Sequence, residues 1–249
     1  MDAHRGTGAV LTGTIRTVAE TGSTNADLLA EAGQGAAEGA WLRAGRQTAG
    51  KGRQGRAWDS PAGNLFASTL VRLSAGDPPA ATLALVAAVA LEEAVRLALP
   101  PARTRQLALK WPNDLLIAGA KLSGILLERA DDWVVIGVGV NVAHHPALAD
   151  RATTSLAAEG AAVDAAAFLS HLADLTAAWL HLWRRDGLAP VVARWSERAH
   201  PPGTPLVARL PDGESVEGVF AALDPAGALV LRLADGTHRA IHAGDIFLI

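Results

Sequence analysis

The spacing of apolar positions divides the chain into a strand-and-helix region followed by a tail of short strands. Residues 14–20 and 40–46 read as short strands, and 64–73 alternates well enough to be a third. Between the first two, Ser23-Thr24-Asn25 precedes Ala26-Asp27-Leu28-Leu29-Ala30, the pattern of an N-capped helix. Residues 80–99 predict a long helix, with Leu83, Val86, Ala90, Leu91 and Val95 at helical spacing. Four strand candidates follow in succession, at 106–111, 114–118, 121–128 and 133–142, with turn residues between them, so a meander is expected. A second long helix runs from Asp164 to about Asp186. Its Phe168, Leu172, Leu175, Trp179 and Leu182 step by four and three, which makes them a core stripe rather than a ligand box. A third helix is expected at about 189–199.

The clearest boundary is His200-Pro201-Pro202-Gly203-Thr204-Pro205. Beyond it come short strands, with turns at Pro211-Asp212-Gly213, Asp224-Pro225-Ala226-Gly227 and Asp235-Gly236, the pattern of a small barrel. The fold class is therefore α+β, with one unit over 1–200 and a β module over 203–249. No internal repeat is visible.

Composition narrows the setting. Half of the 249 residues are apolar, enough for a sizeable core, and the net charge is −3, so general nucleic-acid binding is not suggested. Cys is absent, which rules out disulfides, thiolate metal sites and a Cys nucleophile and fits a reducing cytoplasm. The start, Met1-Asp2-Ala3-His4-Arg5-Gly6, has no apolar signal core. The longest apolar stretch, around Leu83 to Ala90, is too short to span a bilayer and runs into Glu92 and Glu93, so no membrane association is expected.

Against that acidic background stands one cationic loop. Gly45-Arg46-Gln47-Thr48-Ala49-Gly50-Lys51-Gly52-Arg53-Gln54-Gly55-Arg56-Ala57-Trp58 holds four glycines, four cations and a Trp. Glycine lets backbone N–H groups approach a ligand, successive N–H groups cradle an anion, and Arg and Lys add fixed charge. The Trp offers a flat face for a base. Two familiar motifs nearly fit and fail. G-x-x-x-x-G-K is completed by Gly52 instead of the Ser or Thr that a P-loop needs. G-x-G-x-x-G is followed by the turn-rich Trp58-Asp59-Ser60-Pro61-Ala62-Gly63-Asn64, which cannot open a helix of any length. The loop is expected to bind phosphate in some other fold and to order on its ligand.

Four more elements join it. Ser23-Thr24-Asn25 offers hydroxyl and amide groups at a helix start, where simple capping explains them equally well. Lys110-Trp111-Pro112-Asn113-Asp114 sets a cation and a carboxylate around a turn that Pro-Asn-Asp favours anyway. Lys121-Leu122-Ser123-Gly124-Ile125-Leu126 begins a buried strand with Lys and interrupts it with Gly, a mark of close approach by a ligand or another backbone. Ile136-Gly137-Val138-Gly139-Val140-Asn141 repeats the interruption and ends on an amide; alone it reads as a bulged core strand.

In order, spacing and length these elements resemble the biotin protein ligase family over about residues 15–249, and the short class in which nothing precedes the catalytic domain. Longer members carry an N-terminal DNA-binding domain, for which there is no room here. The resemblance implies a class II synthetase-like mixed sheet flanked by helices over 1–200, then an SH3-like barrel. It implies two reactions: biotin and ATP give biotinyl-5′-AMP, and the acyl group passes to one lysine of a biotin carboxyl carrier protein or domain.

Both biotin's carboxylate and the α-phosphate are anionic, so cations must offset their repulsion. By resemblance Lys121 and Arg53 are the catalytic candidates, Lys121 at the carboxylate and Arg53 at the phosphate, with Lys51 and Arg56 assisting. Ser23, Thr24 and Gln47 match the ureido side, Asn25 beside them is a further biotin-binding candidate, and Gly124 and Leu126 match the wall of the biotin pocket. Gly50, Lys51, Gly52, Arg56, Trp58, Lys110, Asn113 and Asn141 fall to the nucleotide, with Trp58 near the adenine. Asp114 is the candidate for contact with Mg2+ and for deprotonating the incoming lysine. A homodimer through edge strands is compatible with the resemblance. The loop departs slightly, with Lys51 where Arg is frequent and Gln54 where a second Arg is common. A lipoate-type ligase would lack this loop, octanoyl transferases need a Cys, a non-catalytic binder would be expected to lose Lys121 or Arg53, and a carrier-binding module would not need Trp58 and Asn141.

Overall fold

The computed structural model describes residues 13–249. A seven-stranded sheet has the order β1-β2-β3-β7-β6-β5-β4. Its strands are β1 (Ile15–Thr21), β2 (Trp41–Gln47), β3 (Leu65–Arg72), β4 (Leu107–Lys110), β5 (Asp114–Ile117), β6 (Ala120–Ala130) and β7 (Trp133–Val140). β1 and β2 pair in parallel through a crossover containing α1 (Thr24–Ala32), and the remaining neighbours are antiparallel. The sheet is therefore mixed, and β4 to β7 form the expected meander.

Alternation along the strands assigns the two faces. Leu42, Leu70 and Val135 pack under Leu28 and Ala32 of α1. On the opposite face Trp41, Leu65, Ala67, Val71, Val134, Ile136 and Val138 pack with α2 (Leu83–Ala98), α4 (Ala165–Asp186) and α5 (Ala189–Arg198). A single turn, α3 (Pro101–Thr104), links α2 to β4. The long helix expected from residue 80 begins as a 3-10 turn at Ala80–Thr82. The α4 stripe also differs at its end: Trp183, fully buried, replaces Leu182 as its last member and donates Nε1–H to Thr82 Oγ1 at 2.8 Å.

After α5 the chain enters β8 (Pro205–Arg209), β9 (Ser215–Leu223), β10 (Leu229–Arg232), β11 (His238–Ile241) and β12 (Asp245–Leu248). They form an antiparallel sheet of order β11-β10-β9-β8-β12, in which no pairing closes β11 onto β12. Its apolar face merges with the main core, with Trp195 of α5 edge-on to Phe220 at 6.3 Å between centroids. Trp111 ties the β4–β5 turn to this sheet by donating to the Gly227 carbonyl at 3.1 Å. Among the described residues no helix is long and apolar enough to cross a membrane.

His200 sits at this junction with Nε2 buried and lacking a protein hydrogen-bond partner. Burial first, and the Lys110 charge second, hold its pKa below the ordinary 6.5. The unfolded chain takes up a proton near that value and the folded chain only at lower pH, so acid favours unfolding and stability falls as pH drops through it. His200→Asn is expected to flatten the decline of Tm between about pH 7.5 and about pH 5, as thermal melts across that range would record.

Candidate active site

The ends of β2, β3, β6 and β7, the start of α1, the cationic loop and β12 enclose one cavity of about 500 Å³. Its polar end is built from α1 and its neighbours. Ser23 caps the helix, its Oγ accepting from Ala26 N–H at 3.4 Å, so the capping role is present. Thr24 and Asn25, both buried, begin the helix beside β2 and β3. Gln47 Oε1 accepts the Thr24 N–H at 2.9 Å and lies 3.1 Å from Thr24 Oγ1. Ser68 of β3, which no sequence motif marked, lies 2.7 Å from Thr24 Oγ1 and donates to Asn25 Oδ1 at 2.6 Å. The Asn25 amide nitrogen donates to Glu128 Oε2 at 2.8 Å and to the Leu126 carbonyl at 3.4 Å. Asn25 thus lies on the wall with its own amide engaged by protein.

The middle of the cavity is a glycine floor. Gly124 and Gly139 are cross-strand partners, and the Trp58 indole lies over them. A Cβ at Gly139 would sit 2.7 Å from Trp58 Nε1, and one at Gly124 would sit 3.1 Å from Trp58 Cζ3. The two strand interruptions therefore admit a tryptophan ring between loop and sheet. Lys121 Nζ stands 5.4 Å from the centre of that ring and donates to Asp114 Oδ1 at 2.6 Å. Lys110 Nζ approaches Asp114 Oδ2 at 3.8 Å. Burial holds the Lys110 pKa below its ordinary value, Asp114 opposes that shift and Lys121 adds to it.

The loop folds back as a narrow hairpin. Gly52 N–H donates to the Arg56 carbonyl at 2.7 Å and Trp58 N–H to the Gly50 carbonyl at 2.9 Å. Gly50 is not part of the cavity lining; it packs against Ser60 and the Trp58 carbonyl, where a Cβ would lie 2.7 Å from each oxygen. Arg53 bonds Asn113 Oδ1 at 3.3 Å and the Gly244 carbonyl at 3.0 Å, and lies 3.6 Å from Asp245. Arg56 pairs with the same Asp245 carboxylate. Burial lowers the Arg53 pKa, and Asp245 and Asp114 oppose that shift. Lys51 and Gly52 line the cavity mouth.

Asn113 also donates to the Ile125 carbonyl at 2.7 Å, so its side chain positions Arg53. Asn141, buried at the end of β7, donates to the Thr154 carbonyl at 3.0 Å and anchors the segment that returns past Lys121. That segment brings Arg151, unmarked in the sequence, to the cavity. Each oxygen of Asp114, the candidate for contact with magnesium, faces an ammonium group, Oδ1 that of Lys121 at 2.6 Å and Oδ2 that of Lys110 at 3.8 Å. Among the described residues no group of three or more His, Cys, Asp or Glu could hold a metal ion.

Residues 20–141 match the Biotin/lipoate A/B protein ligase family, and residues 207–249 match the Biotin protein ligase C terminal domain. A biotin–[acetyl-CoA-carboxylase] ligase of Paracoccus denitrificans is 41% identical over 241 residues, covering 92% of this chain and 98% of that protein. One from Mycobacterium tuberculosis is 40% identical over 237 residues, covering 92% and 86%. Among solved structures, the Aquifex aeolicus biotin protein ligase in complex with biotin and ATP superposes with a TM-score of 0.80 at 23% identity, over 95% of this chain and 98% of that one, a likeness of fold. The Leishmania major enzyme in complex with biotinyl-5-AMP superposes at 0.64 with 27% identity, over 92% and 99%. With relatives 41% and 40% identical over 92% of this chain and both sheets matched, the chain belongs to the biotin protein ligase family.

Proposed function

We propose that this cavity joins biotin to ATP as biotinyl-5′-AMP and then transfers the biotinyl group to a lysine of a biotin carboxyl carrier protein. The observation that carries the reading is the meeting of a polar end at Thr24 and Gln47 with a cationic end at Lys121 and Arg53, across the glycine floor. In the first step a biotin carboxylate oxygen bonds to the α-phosphorus and the bond to pyrophosphate breaks. Lys121 holds the carboxylate and the developing acyl phosphate. Arg53 and Arg56, with Lys51 at the mouth, face the phosphates, and Trp58 and Asn141 border the nucleoside. In the second step the acceptor amine attacks the acyl carbon, AMP departs, and Asp114 receives the amine's proton.

Both oxygens of Asp114 face ammonium groups, so we assign magnesium chiefly to the phosphates of ATP itself, with Asp114 as its candidate protein contact. We take residues 1–200 as the catalytic unit and 203–249 as a module whose Asp245 reaches the loop. A cytoplasmic setting, where ATP is available, goes with this reading. β1 leaves one edge of the seven-stranded sheet unpaired among the described residues; pairing of two copies there is our proposal for assembly, and sedimentation checks it.

The test is to mix pure protein with magnesium, ATP and biotin, lipoate or octanoate, and to look for the acyl adenylate by mass spectrometry. Adenylate from biotin alone is expected. Adenylate from lipoate instead would move the chain to the lipoate branch.

Asp245 pairs with both arginines of the loop, so Asp245→Ala is expected to loosen the hairpin. Tryptic cleavage after Arg53 and Arg56 should then run several-fold faster in the ligand-free protein, and biotin with ATP should restore protection. Equal cleavage of both proteins would show that Asp245 does not hold the loop.

A further inference from the structure

We infer that Glu128 is a positioning residue that sets the hydrogen-bond polarity of the cavity's polar end, leaving Thr24 Oγ1 as an acceptor for a ligand N–H. This deepens the biotin reading and rests on it.

A carboxylate accepts and does not donate. Glu128 Oε2, 2.8 Å from Asn25 Nδ2, therefore requires Asn25 to turn its NH2 toward β6 and its Oδ1 toward Ser68. The Leu126 carbonyl, another pure acceptor, enforces the same orientation. Ser68 has one hydrogen, and Asn25 Oδ1 takes it at 2.6 Å. Ser68 can then only accept from Thr24, 2.7 Å away.

The other flank is fixed independently. Ser60 gives its hydrogen to the Trp58 carbonyl at 3.0 Å, so it accepts from Gln47 Nε2 at 3.4 Å. That turns Gln47 Oε1 to the Thr24 N–H. Thr24 is thus faced by two acceptors, Ser68 Oγ and Gln47 Oε1. Its hydrogen goes to one of them, and among the described residues no protein donor reaches its lone pairs. A buried hydroxyl in that state is completed by a donor from the ligand. Gln47 Nε2 retains a second hydrogen. An acceptor beside a donor suits a cyclic urea, which offers N–H and C=O side by side. A saturated acyl chain or a dithiolane offers neither.

Glu128 contacts no predicted reacting atom; it acts through Asn25 and Ser68. The experiment is calorimetric titration of the full chain with biotin, desthiobiotin (same urea, no thiophane ring) and, separately, ATP. Loss of one buried hydrogen bond corresponds to about tenfold in affinity. E128A should weaken biotin and desthiobiotin by about tenfold, and E128K, which can only donate and so turns Asn25 and Ser68 around, by about thirtyfold or more, whereas S68A leaves Gln47 Oε1 to take the Thr24 hydrogen and should stay within about threefold. E128Q can present its oxygen to Asn25 and should stay within about threefold of wild type. ATP affinity should move less than about twofold in all four, since the network lies at the other end of the cavity.

E128K or E128A binding biotin within about threefold of wild type would overturn the inference. So would E128Q falling as far as E128K, because charge or packing would then be the cause. If E128K does not fold, E128A carries the same prediction. A wild-type protein that binds ATP but neither urea ligand would sink the biotin reading itself, whereas binding that the variants leave unchanged sinks the polarity chain alone.

Discussion

Lys121→Ala is expected to slow biotinyl-adenylate formation by about 10²–10³-fold at saturating biotin and ATP, with the fold retained. Two anions must come together in the first step, and Lys121 is the cation held closest to the glycine floor, 5.4 Å from the Trp58 ring centre. Its backbone is secured separately: its N–H donates to the Ala152 carbonyl at 2.8 Å and its carbonyl accepts from Thr154 N–H at 3.0 Å. The substitution therefore removes a charge without dismantling the strand. Asp114 keeps Lys110 at 3.8 Å, so the stability loss should be about 1–2 kcal/mol, a few degrees in Tm. Lys121→Met, which keeps most of the apolar stem, should lose as much rate as Lys121→Ala; recovery by Met would mean that packing against Trp58 matters and the charge does not. Pyrophosphate release in a single turnover, read alongside a thermal melt, separates chemistry from folding. A loss below about threefold would remove Lys121 from the reaction.

What could be read in the chain was what is decided locally. The meander from β4 to β7 was legible because its strands are neighbours both in sequence and in the sheet. The start of α1 was legible from Ser23, whose capping bond spans three residues. Parallel pairing of β1 with β2 was not, since its register depends on how the α1 crossover packs. The site divides in the same way. Glycines within β6 and β7, and cations crowded into a glycine loop, are unusual wherever they occur and announce themselves. Ser68, Glu128 and Asp245 are ordinary residues in ordinary strands. Their roles arise from contacts such as Ser68 with Asn25, 43 positions apart, and Glu128 with Asn25, 103 apart. The one hint was a Ser inside the otherwise apolar run Leu65-Phe66-Ala67-Ser68, since a fully buried hydroxyl needs a partner. Asp114 shows the converse. A carboxylate beside a proposed phosphate site suggests metal, and only the fold reveals that Lys110 and Lys121 stand on its two oxygens.

Gly137→Ala and Gly139→Ala place the same methyl group two residues apart on one strand, yet they should fail in different ways. At Gly137 the new Cβ would lie 2.2 Å from Asn25 Oδ1 and 2.8 Å from its Cγ. Asn25 cannot retreat: it is buried in α1 and bonded to Ser68 and Glu128. The clash must move the helix off the sheet or break that network, at about 1–3 kcal/mol, and biotin affinity should fall with Tm. At Gly139 the Cβ would lie 2.7–2.8 Å from three atoms of the Trp58 indole. Trp58 belongs to the loop, whose backbone ties to the sheet are few, so the ring can be displaced without disturbing the core. Gly139→Ala should therefore melt within about 1 kcal/mol of wild type while losing adenylate formation by about tenfold or more, since the loop can no longer close over the floor. Thermal melts and single-turnover adenylation on the two variants decide the matter. A Gly139→Ala protein as active as wild type would show that Trp58 need not reach the sheet during catalysis. A Gly137→Ala protein of unchanged stability would show that Asn25 is free to move, and would weaken the case for a fixed polar end.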